Sequence, residues 1–302
     1  MVMRRLTHFF GRQARQKQDD LVEIVSAVGS PTHELAGNQG QILLKLAYKQ
    51  LAQNENTLPS FEEVEFRCHS QNGEDGILLY VFSLLGTTNR KCVEIAAGDG
   101  IQNNTANLII NHGWYGLLIH GNEELIGVAR KYYASHPDTF ALPPQIVHAW
   151  VTADNVNQLV AENGFGGEID LLSLDIDGVD WWIWKALTCA RPRVVVAEVQ
   201  CICGPEDSVT VPYRPDFKAE YVGGFGVYSG GSLSAFVKLA REKGYRLVGV
   251  QRYGFNAFFV RDDLGVRVFP EASVEEYLNK PFVHWAQSSL QPLIRDKEWV
   301  RV

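Results

Sequence analysis

The stretch KCVEIAAGDGIQNNTANLI, residues 91–109, decides the fold of this chain. Its apolar run at 92–97 carries a single carboxylate, that of Glu94, and ends in a glycine turn at 98–100. A segment with helical spacing follows and ends at Gly113. This order of strand, glycine turn and helix brings backbone N–H groups and a helix N-terminus up to a nucleotide-like ligand. We therefore expect a ligand-binding turn, although the glycines alone would also fit an ordinary tight turn.

The turn differs from one that binds a dinucleotide. A dinucleotide fingerprint continues to a third glycine, as G-x-G-x-x-G. Here Gly100 is followed by Ile101, Gln102, Asn103 and Asn104. The sequence therefore predicts a turn that is open to a ligand but is not built for a pyrophosphate, which disfavours an oxidoreductase.

Composition narrows the classes of function. With 302 residues, 46% of them hydrophobic, the chain is long enough for a full core and has the apolar content of a globular protein. It has no apolar run of the ~18 residues that a transmembrane helix needs. Its net charge of -7 argues against a general nucleic-acid binder, because phosphates are neutralised by clustered Lys and Arg. The exception is the basic segment 1–17, which either contacts an anionic surface or a partner, or is a frayed terminus.

The cysteines and the N-terminus bear on the compartment. The five cysteines are odd in number and irregular in spacing, which fits a reduced protein. Cys201 and Cys203 have no second Cys or His pair downstream, so they make a poor zinc site. The N-terminus lacks an apolar signal-peptide core. We therefore expect a cytoplasmic protein.

Two helical patterns precede the ligand-binding turn. Apolar residues at 21, 24, 25 and 28 form one amphipathic pattern, and those at 43, 44, 47 and 51 form a second. We expect a helical appendage over residues 1–60, followed by the main domain over residues 61–302. The appendage either covers the main domain or pairs with another copy of itself, which would give a homo-oligomer.

The main domain alternates strand-like and helical patterns. Strand-like runs lie at 92–97, 115–120, 145–151, 169–175, 193–200, 245–251 and 256–260. Mostly apolar runs such as VVVAEV are typical of a parallel sheet that is covered on both faces, and the alternation indicates a doubly wound α/β domain. Only residues 252–255 separate the last two runs, so these should form a hairpin. The pattern predicts a mostly parallel seven-stranded sheet with a terminal antiparallel hairpin, which is the methyltransferase variant of the Rossmann-like fold.

Carboxylates follow two neighbouring strands of this sheet. The fourth strand ends at Asp175 and Asp177, and the fifth ends at Glu198 and Gln200. Ligands of open α/β sheets bind beyond the carboxyl ends of the strands, and clustered carboxylates repel each other unless a cation neutralises them. Oxygen ligands suit Mg²⁺. The alternative is that the two aspartates cap the helix that begins near Val179, although capping leaves Glu198 unexplained.

Six segments carry a family resemblance: SQNGEDGILL, VEIAAGDGIQNNTANL, GWYGLLIHG, DLLSLDIDGVDWWIWKAL, GPEDSVTVPY and SGGSLSAFVKLAREKGYRLVGV. They are similar to segments of bacterial S-adenosylmethionine (SAM)-dependent methyltransferases. The acidic strand followed by G-D-G resembles motif I of the class I enzymes, and the whole resembles the FkbM-like and macrocin O-methyltransferase-like group. Those enzymes methylate sugar hydroxyls of glycans and natural products. The resemblance covers about residues 68–262.

The resemblance implies roles for the residues at the strand ends. Asp175 and Glu198 become Mg²⁺ ligands, with Gln200 as a third, and Asp177 acts as the general base or supports it. The cofactor cleft is lined by Glu94, Gly98, Asp99 and His120.

One position departs from the family pattern. The tip of the second strand is usually acidic and binds the ribose hydroxyls, but here it is His120. A neutral imidazole makes one of these hydrogen bonds but cannot accept from both hydroxyls as a carboxylate does. Either Glu123 or Glu124 substitutes from the next turn, or SAM binding is weakened or lost in this chain.

Two loops are expected to border the site. The SQNGEDG turn, with Gln71 and Asp75, either folds over the cofactor or serves as a simple helix N-cap. The segment 201–231 is rich in Gly, Pro and Tyr and lies where a substrate lid belongs. The alternative is that this segment is an ordered loop that packs on the core. Its ring-bearing and basic candidates for contacts with a sugar are Tyr213, Tyr221, Tyr228, Arg214 and Lys218.

Three hypotheses follow. The first is a SAM-dependent, Mg²⁺-dependent O-methyltransferase for a saccharide or a glycosylated metabolite. The second is a non-catalytic binding or scaffold protein on the same fold, which His120 favours. The third, an oxidoreductase, is disfavoured by the missing third glycine.

Overall fold

The computed structural model describes residues 31–53 and 58–302, with side chains from residue 38 onward in the first range. The predicted helix at 21–28 and the basic segment 1–17 lie outside the described residues. The helices are α1 (Pro31–Gln53), α2 (Phe61–Val64), α3 (Glu74–Leu85), α4 (Ala106–His112), α5 (Glu123–Ser135), α6 (Val156–Glu162), α7 (Asp180–Ala186), α8 (Leu233–Lys243), α9 (Val274–Leu278), α10 (Pro281–Ser289) and α11 (Gln291–Ile294). The strands are β1 (Lys91–Ile95), β2 (Tyr115–His120), β3 (Gln145–His148), β4 (Gly167–Leu174), β5 (Ala190–Glu198), β6 (Val209–Thr210), β7 (Glu220–Val222), β8 (Phe225–Tyr228), β9 (Tyr245–Val250), β10 (Asn256–Arg261) and β11 (Val300–Arg301).

The chain divides into two compact units, residues 1–47 and 48–302. The helical pattern predicted over residues 43–51 lies inside α1, which spans the boundary between the units. All the candidate site residues belong to the second unit. No helix in the described part of the chain has both the length and the apolar content to cross a membrane.

A seven-stranded sheet runs through the second unit in the order β3-β2-β1-β4-β5-β10-β9. The strands from β3 to β5 are parallel to their neighbours, whereas β10 is antiparallel to both β5 and β9. This order confirms the predicted mostly parallel, seven-stranded Rossmann-like sheet, including the terminal antiparallel hairpin. The order reverses between β1 and β4, so a crevice opens beyond the carboxyl ends of these strands.

Both faces of the sheet are buried, as the apolar runs predict. Side chains alternate between the faces of a strand. Val195 and Phe259 accordingly pack into one apolar core, while Val194, Val196 and Phe258 pack into the other. The helices cover both faces, and the carboxyl ends of the strands are left to the loops.

The tryptophans of α7 anchor one of these layers. Trp181 and Trp184 are buried, and the ring of Trp184 stacks on Phe236 at 6.1 Å between centroids. The Trp181 indole donates to the Ala235 carbonyl at 3.0 Å. These contacts hold α7, and with it the loop that precedes it, against α8.

A buried ion pair holds the opposite end of the sheet. Arg193 donates to Asp170 at 2.9 Å, and both side chains are nearly inaccessible to solvent. The backbone N–H groups of Thr88, Asn89 and Arg90 also donate to this carboxylate. Burial alone would raise the pKa of Asp170, but these hydrogen bonds outweigh it and lower the pKa. The pair fixes β4, β5 and the approach to β1.

The segment between β5 and α8 and the C-terminal tail form one structure. β6 pairs with β11 of the tail, and β7 pairs with β8 in a hairpin. The tail after residue 262, which no sequence pattern places, thus supports the predicted lid through β11 and the helices α10 and α11. This partner explains how a Gly-rich segment is held in a defined position.

Candidate functional site

Three carboxylates meet at the carboxyl ends of β4 and β5. One oxygen atom from each of Asp175, Asp177 and Glu198 lies within 4.8 Å of the other two. Asp175 directly follows β4 and Glu198 is the last residue of β5, so the parallel pairing of these strands sets them side by side. The structure therefore brings together the acidic residues that the sequence singles out. We call these residues the carboxylate cluster.

The cluster does not serve to cap α7. The N-cap position of α7 is Val179, whose side chain makes no capping bond. Asp180 organises the turn instead, since its carboxylate accepts from the N–H groups of Ile176 at 2.7 Å and Gly178 at 2.9 Å. Asp177 has a left-handed backbone, with φ of 53°, a conformation that costs about 1–2 kcal/mol in a residue with a Cβ. This exposed carboxylate is held over the cleft at a cost in stability.

Burial and mutual repulsion change the acidity of the cluster. Burial raises the pKa of Asp175, and the charges of Asp180 and Asp177 raise it further. Burial likewise raises the pKa of Glu198, followed by the charge of Asp175. Their carboxylate oxygens lie within 4.8 Å of each other, so a proton on one of the two groups relieves the repulsion. A bound cation would replace that proton and remove the repulsion.

A polar cavity of about 580 Å³, measured to its open mouth, lies between these carboxylates and β1. It is lined by carboxylates, amides, one alanine and one glycine, and by no Lys or Arg. The lining residues are Gln71, Asn72, Glu74, Glu94, Ala96, Gly98, Gln102, Asn103, Asn104, Asp175, Asp177 and Asn256. This cavity therefore suits a group that carries positive charge together with hydrogen-bonding atoms.

Glu94 lies in the wall of this cavity and also fixes the start of α4. Its carboxylate accepts from the Thr105 N–H at 2.9 Å and from the Ser173 hydroxyl at 2.8 Å. Burial raises the pKa of Glu94 to about 7, despite these hydrogen bonds. The predicted cofactor residue is thus a buried acid that titrates near neutrality.

The glycines of the turn have different roles. Gly98 has φ of +58°, and a Cβ placed there would meet no atom within 4 Å, so it borders open space. A Cβ at Gly100 would lie 2.9 Å from the Cβ of Ala129, so this glycine permits close packing of α5. Asp99 accepts from the N–H groups of Ile101 and Gln102 and closes the loop. Asp99 is not among the residues that line either cavity at the site, and its contact with the cofactor stays a prediction.

The SQNGEDG turn is held by Asp75. Its Oδ2 accepts from the N–H groups of Cys68, His69 and Ser70. Asp75 is buried and is not among the residues that line the polar cavity, whereas Gln71 is. Asp75 therefore shapes the loop, and Gln71 faces the space for a ligand.

A second, mostly apolar cavity of about 540 Å³ adjoins the polar one, since Ala96 lines both. It lies beyond the ends of β2 and β3 and includes His120. Its apolar walls come from Ile119, Ala149, Trp150, Val151, Ile176, Val179, Pro215 and Phe217. Burial lowers the pKa of His120, so the ring is neutral at physiological pH, and its Nδ1 is buried without a hydrogen-bond partner. The chain thus offers one imidazole nitrogen to a ligand in this cavity.

Asn256 is a residue of the polar cavity that sequence reasoning missed. Asn256 begins β10 directly opposite Glu198 in the sheet. Its Nδ2 donates to the Glu74 carboxylate at 2.9 Å, and its Oδ1 is buried without a partner in the polar cavity. The signal was available, because β10 runs antiparallel and begins where β5 ends.

Gln200 and the tyrosines of the segment 201–231 divide into two groups. The Gln200 Nε2 donates to the Gly226 carbonyl at 3.0 Å and its Oε1 accepts from the Ile202 N–H, so both ends of this predicted metal ligand are used by the lid. Tyr213 and Tyr228 likewise bond to backbone groups. Tyr221 differs, because its ring lies near Asp177: a Cβ on Gly226 would be 3.6 Å from the Tyr221 ring and 3.8 Å from Asp177 Oδ1. Burial and the charge of Asp177 raise the pKa of the Tyr221 hydroxyl. The hairpin β7–β8 therefore reaches the carboxylate cluster through Tyr221.

Comparisons with known proteins bear on the fold. No family model matches the chain, and a search of curated proteins finds no match. Among solved structures, the chain is similar to a SAM-dependent methyltransferase from Clostridium acetobutylicum, with 11% identity, 62% of this chain and 90% of that chain covered, and a TM-score of 0.41. It is also similar to an O-methyltransferase family protein from Burkholderia thailandensis, with 12% identity, 63% and 59% covered, and a TM-score of 0.40.

A third similar structure is the magnesium protoporphyrin IX methyltransferase of Synechocystis, solved with bound SAM, at 14% identity, with 62% and 77% covered and a TM-score of 0.36. At these identities and TM-scores, similarity does not by itself assign an activity to this chain.

Proposed function

We propose that this protein is a SAM-dependent O-methyltransferase that uses Mg²⁺ and acts on a hydroxyl of a saccharide or a glycosylated metabolite. The observation that carries the proposal is the pair of cavities that meet at Ala96 and end at the carboxylate cluster. The apolar cavity suits a nucleoside, and the polar one suits an amino acid with its charged groups.

The residues around each cavity match the parts of SAM. In the apolar cavity, Trp150 and Phe217 offer ring surfaces to an adenine, and His120 Nδ1 offers a single hydrogen bond to a ribose hydroxyl. In the polar cavity, the side-chain amides of Gln71, Gln102 and Asn103 are suited to an α-carboxylate. Glu94 and the buried Oδ1 of Asn256 supply acceptors for an α-ammonium group.

The donor set at the cluster fits a hard divalent cation. Asp175, Asp177 and Glu198 present carboxylate oxygens only, which suit Mg²⁺ better than a softer metal. Burial and mutual repulsion raise the pKa values of Asp175 and Glu198, and a bound cation would relieve the cost of keeping both groups charged. When bound there, Mg²⁺ would supply Lewis acidity that lowers the pKa of a hydroxyl.

The chemistry left to the chain is positioning and proton removal. SAM supplies an activated methyl group, and the acceptor oxygen must approach it in line while losing its proton. Asp177 is exposed, is held over the cleft by its left-handed backbone, and lies near Tyr221, whose hydroxyl has a pKa raised by burial and by the charge of Asp177. We assign to Asp177 the acceptance of the hydroxyl proton. Tyr221 orients this carboxylate, and the hairpin β7–β8 limits the access of water.

A binding or scaffold protein on the same fold is the second candidate, because an imidazole replaces the usual carboxylate at the tip of β2. Calorimetric titrations with SAM, S-adenosylhomocysteine (SAH) and NAD, each with and without Mg²⁺, separate the two. The proposal expects SAH to bind and NAD not to bind. No binding of SAM or SAH at millimolar concentration in either condition would contradict it.

A further inference from the structure

Five aromatic rings gather beside the carboxylate cluster and line neither of the two cavities that we assign to the cofactor. They come from β8, from the turn between β9 and β10, and from α10, and we call them the aromatic group. Its members are Phe225, Tyr253, Phe255, Phe282 and Trp285. Their ring centroids lie 5.2 to 5.9 Å from those of their neighbours in the group.

The aromatic group encloses space rather than filling it. Phe225, Phe255 and Phe282 line a cavity of about 440 Å³, measured to its open mouth, and Val199, Ile202, Ala286 and Leu290 complete its apolar wall. Tyr253 and Trp285 are 40% and 44% exposed. These two rings are therefore not part of the buried core and leave apolar surface for a ligand to cover.

The polar groups of this cavity are few. Gln200 is one of them, and its amide is already bonded to the lid. The other two polar groups are the carboxyl group of Glu198 and the hydroxyl of Ser229. A free sugar in this cavity would leave most of its hydroxyl groups without partners, and unpaired polar groups are costly to bury.

The position of the cavity connects it to the proposed chemistry. Glu198 lines this cavity, while Asp175 and Asp177 line the polar cavity of the cofactor. The three carboxylates lie within 4.8 Å of one another, so the cluster stands where the two cavities approach. Gly226 also lines the aromatic cavity, and a Cβ on it would lie 3.8 Å from Asp177 Oδ1.

We infer that the acceptor carries an apolar, ring-sized group next to the hydroxyl that is methylated, and that the aromatic group binds it. This inference rests on the proposed function and narrows its substrate class to glycosides with an apolar aglycone, as opposed to free sugars or purely polar glycans. The hydroxyl reaches the carboxylate cluster, and the aglycone lies between Phe225, Phe255 and Phe282.

Two matched glucosides test the inference. Protein saturated with SAH and Mg²⁺ is titrated with phenyl β-D-glucopyranoside and with methyl β-D-glucopyranoside, which differ only in the aglycone. Burial of a phenyl ring predicts that the phenyl glucoside binds about tenfold more tightly, or more. Phenol is titrated with and without SAH, so that the aromatic cavity is probed even if no sugar is held.

Variants locate the effect. Phe282→Ala should abolish the preference, so that the phenyl and methyl glucosides bind with about equal affinity. It should leave the affinity for SAH unchanged. Phe255→Leu, which keeps most of the apolar volume, should reduce the preference only in part. Phe140→Ala is the matched control, because Phe140 is 63% exposed and lines none of the site cavities.

The outcomes distinguish the inference about the apolar aglycone from the proposed function. Equal affinity for both glucosides, or failure of phenyl glucoside and phenol to bind to protein that binds SAH, would overturn the inference and leave the proposed function standing. Failure of SAH to bind would overturn the proposed function. Phenol binding that is lost in Phe282→Ala would then still support an apolar ring site.

Discussion

Asp175 and Glu198 bring a carboxylate oxygen each to within 4.8 Å of the other at the carboxyl ends of two neighbouring parallel strands. Burial and the neighbouring negative charges raise the pKa of both carboxyl groups. Neither residue has a basic side chain beside it to balance a second negative charge in the polar cavity. Two unbalanced charges are therefore unfavourable here, and a bound proton or a bound cation would relieve their repulsion.

The first prediction concerns stability and pH. The pKa values of Asp175 and Glu198 are raised in the folded protein. Above the ordinary carboxyl pKa of about 4, the folded protein therefore binds more protons than the unfolded one. The free energy of unfolding of the metal-free protein should therefore fall as the pH rises from about 4 through the raised pKa values. Glu94, with its pKa near 7, contributes in the same direction. Thermal melts between pH 5.5 and 8 measure this fall.

Magnesium should oppose that loss. Binding at 100 times the dissociation constant stabilises the folded state by about 2.7 kcal/mol, and the effect should grow with pH because the ligands must be deprotonated. Glu198→Gln should show a shallower fall with pH and no response to Mg²⁺. A wild-type melting temperature that Mg²⁺ does not change at pH 8 would count against a metal site.

The second prediction concerns the general base. Asp177→Asn keeps the shape of the side chain and tolerates the left-handed backbone, but it cannot take a proton. Turnover should fall by roughly 10² to 10⁴, while the melting temperature and the affinity for SAH stay close to those of the wild type. Tyr221→Phe serves as a comparison and should lower turnover less, since it only orients the carboxylate. Full activity in Asp177→Asn would remove Asp177 from the mechanism.

A third prediction tests the glycine turn with a matched control. Gly98→Leu should abolish SAH binding, because the side chain would enter the open space beside the turn. Gly113 also has a positive φ and open space at its Cβ position, but it ends α4 away from the cavities. Both leucine variants should lose a similar ~1–2 kcal/mol from the backbone conformation, and only Gly98→Leu should lose the ligand. Calorimetry and thermal melts on both variants decide this.

The fourth prediction separates the scaffold from the site. Asp170→Asn leaves the buried Arg193 without its counter-charge and should cost about 3 kcal/mol of stability or more. Because the pKa of Asp170 is lowered, its contribution is present above the unfolded pKa of about 3.9 and is lost as the pH falls through the native value. Denaturant melts at pH 7 and pH 3 measure both effects. The affinity of the folded variant for SAH should be unchanged.

Much of the fold could be predicted because it depends on local patterns. The apolar runs, the glycine turn at Gly98 and the short connection before Asn256 indicate the strands, the crevice and the terminal hairpin. The carboxylate cluster could also be predicted, since strand ends of a parallel sheet converge. These inferences need only strand order and direction.

The remaining features depend on contacts between distant parts of the chain. Asp99 and Asp75 have the composition of ligand residues, but backbone N–H groups of their own loops occupy them. The support of the lid by β11 joins residues about ninety positions apart, as in the pair Val209 and Arg301. The spacing of residues along the sequence does not contain such pairings, so the aromatic group could not be anticipated.

The most direct test of the central claim is a crystal structure of the protein with SAH and Mg²⁺. The account predicts adenosine in the apolar cavity near His120 and Trp150, and the amino-acid end in the polar cavity near Glu94. It also predicts a cation between Asp175, Asp177 and Glu198. SAH bound elsewhere on the protein, or both cavities empty at saturating ligand, would contradict it.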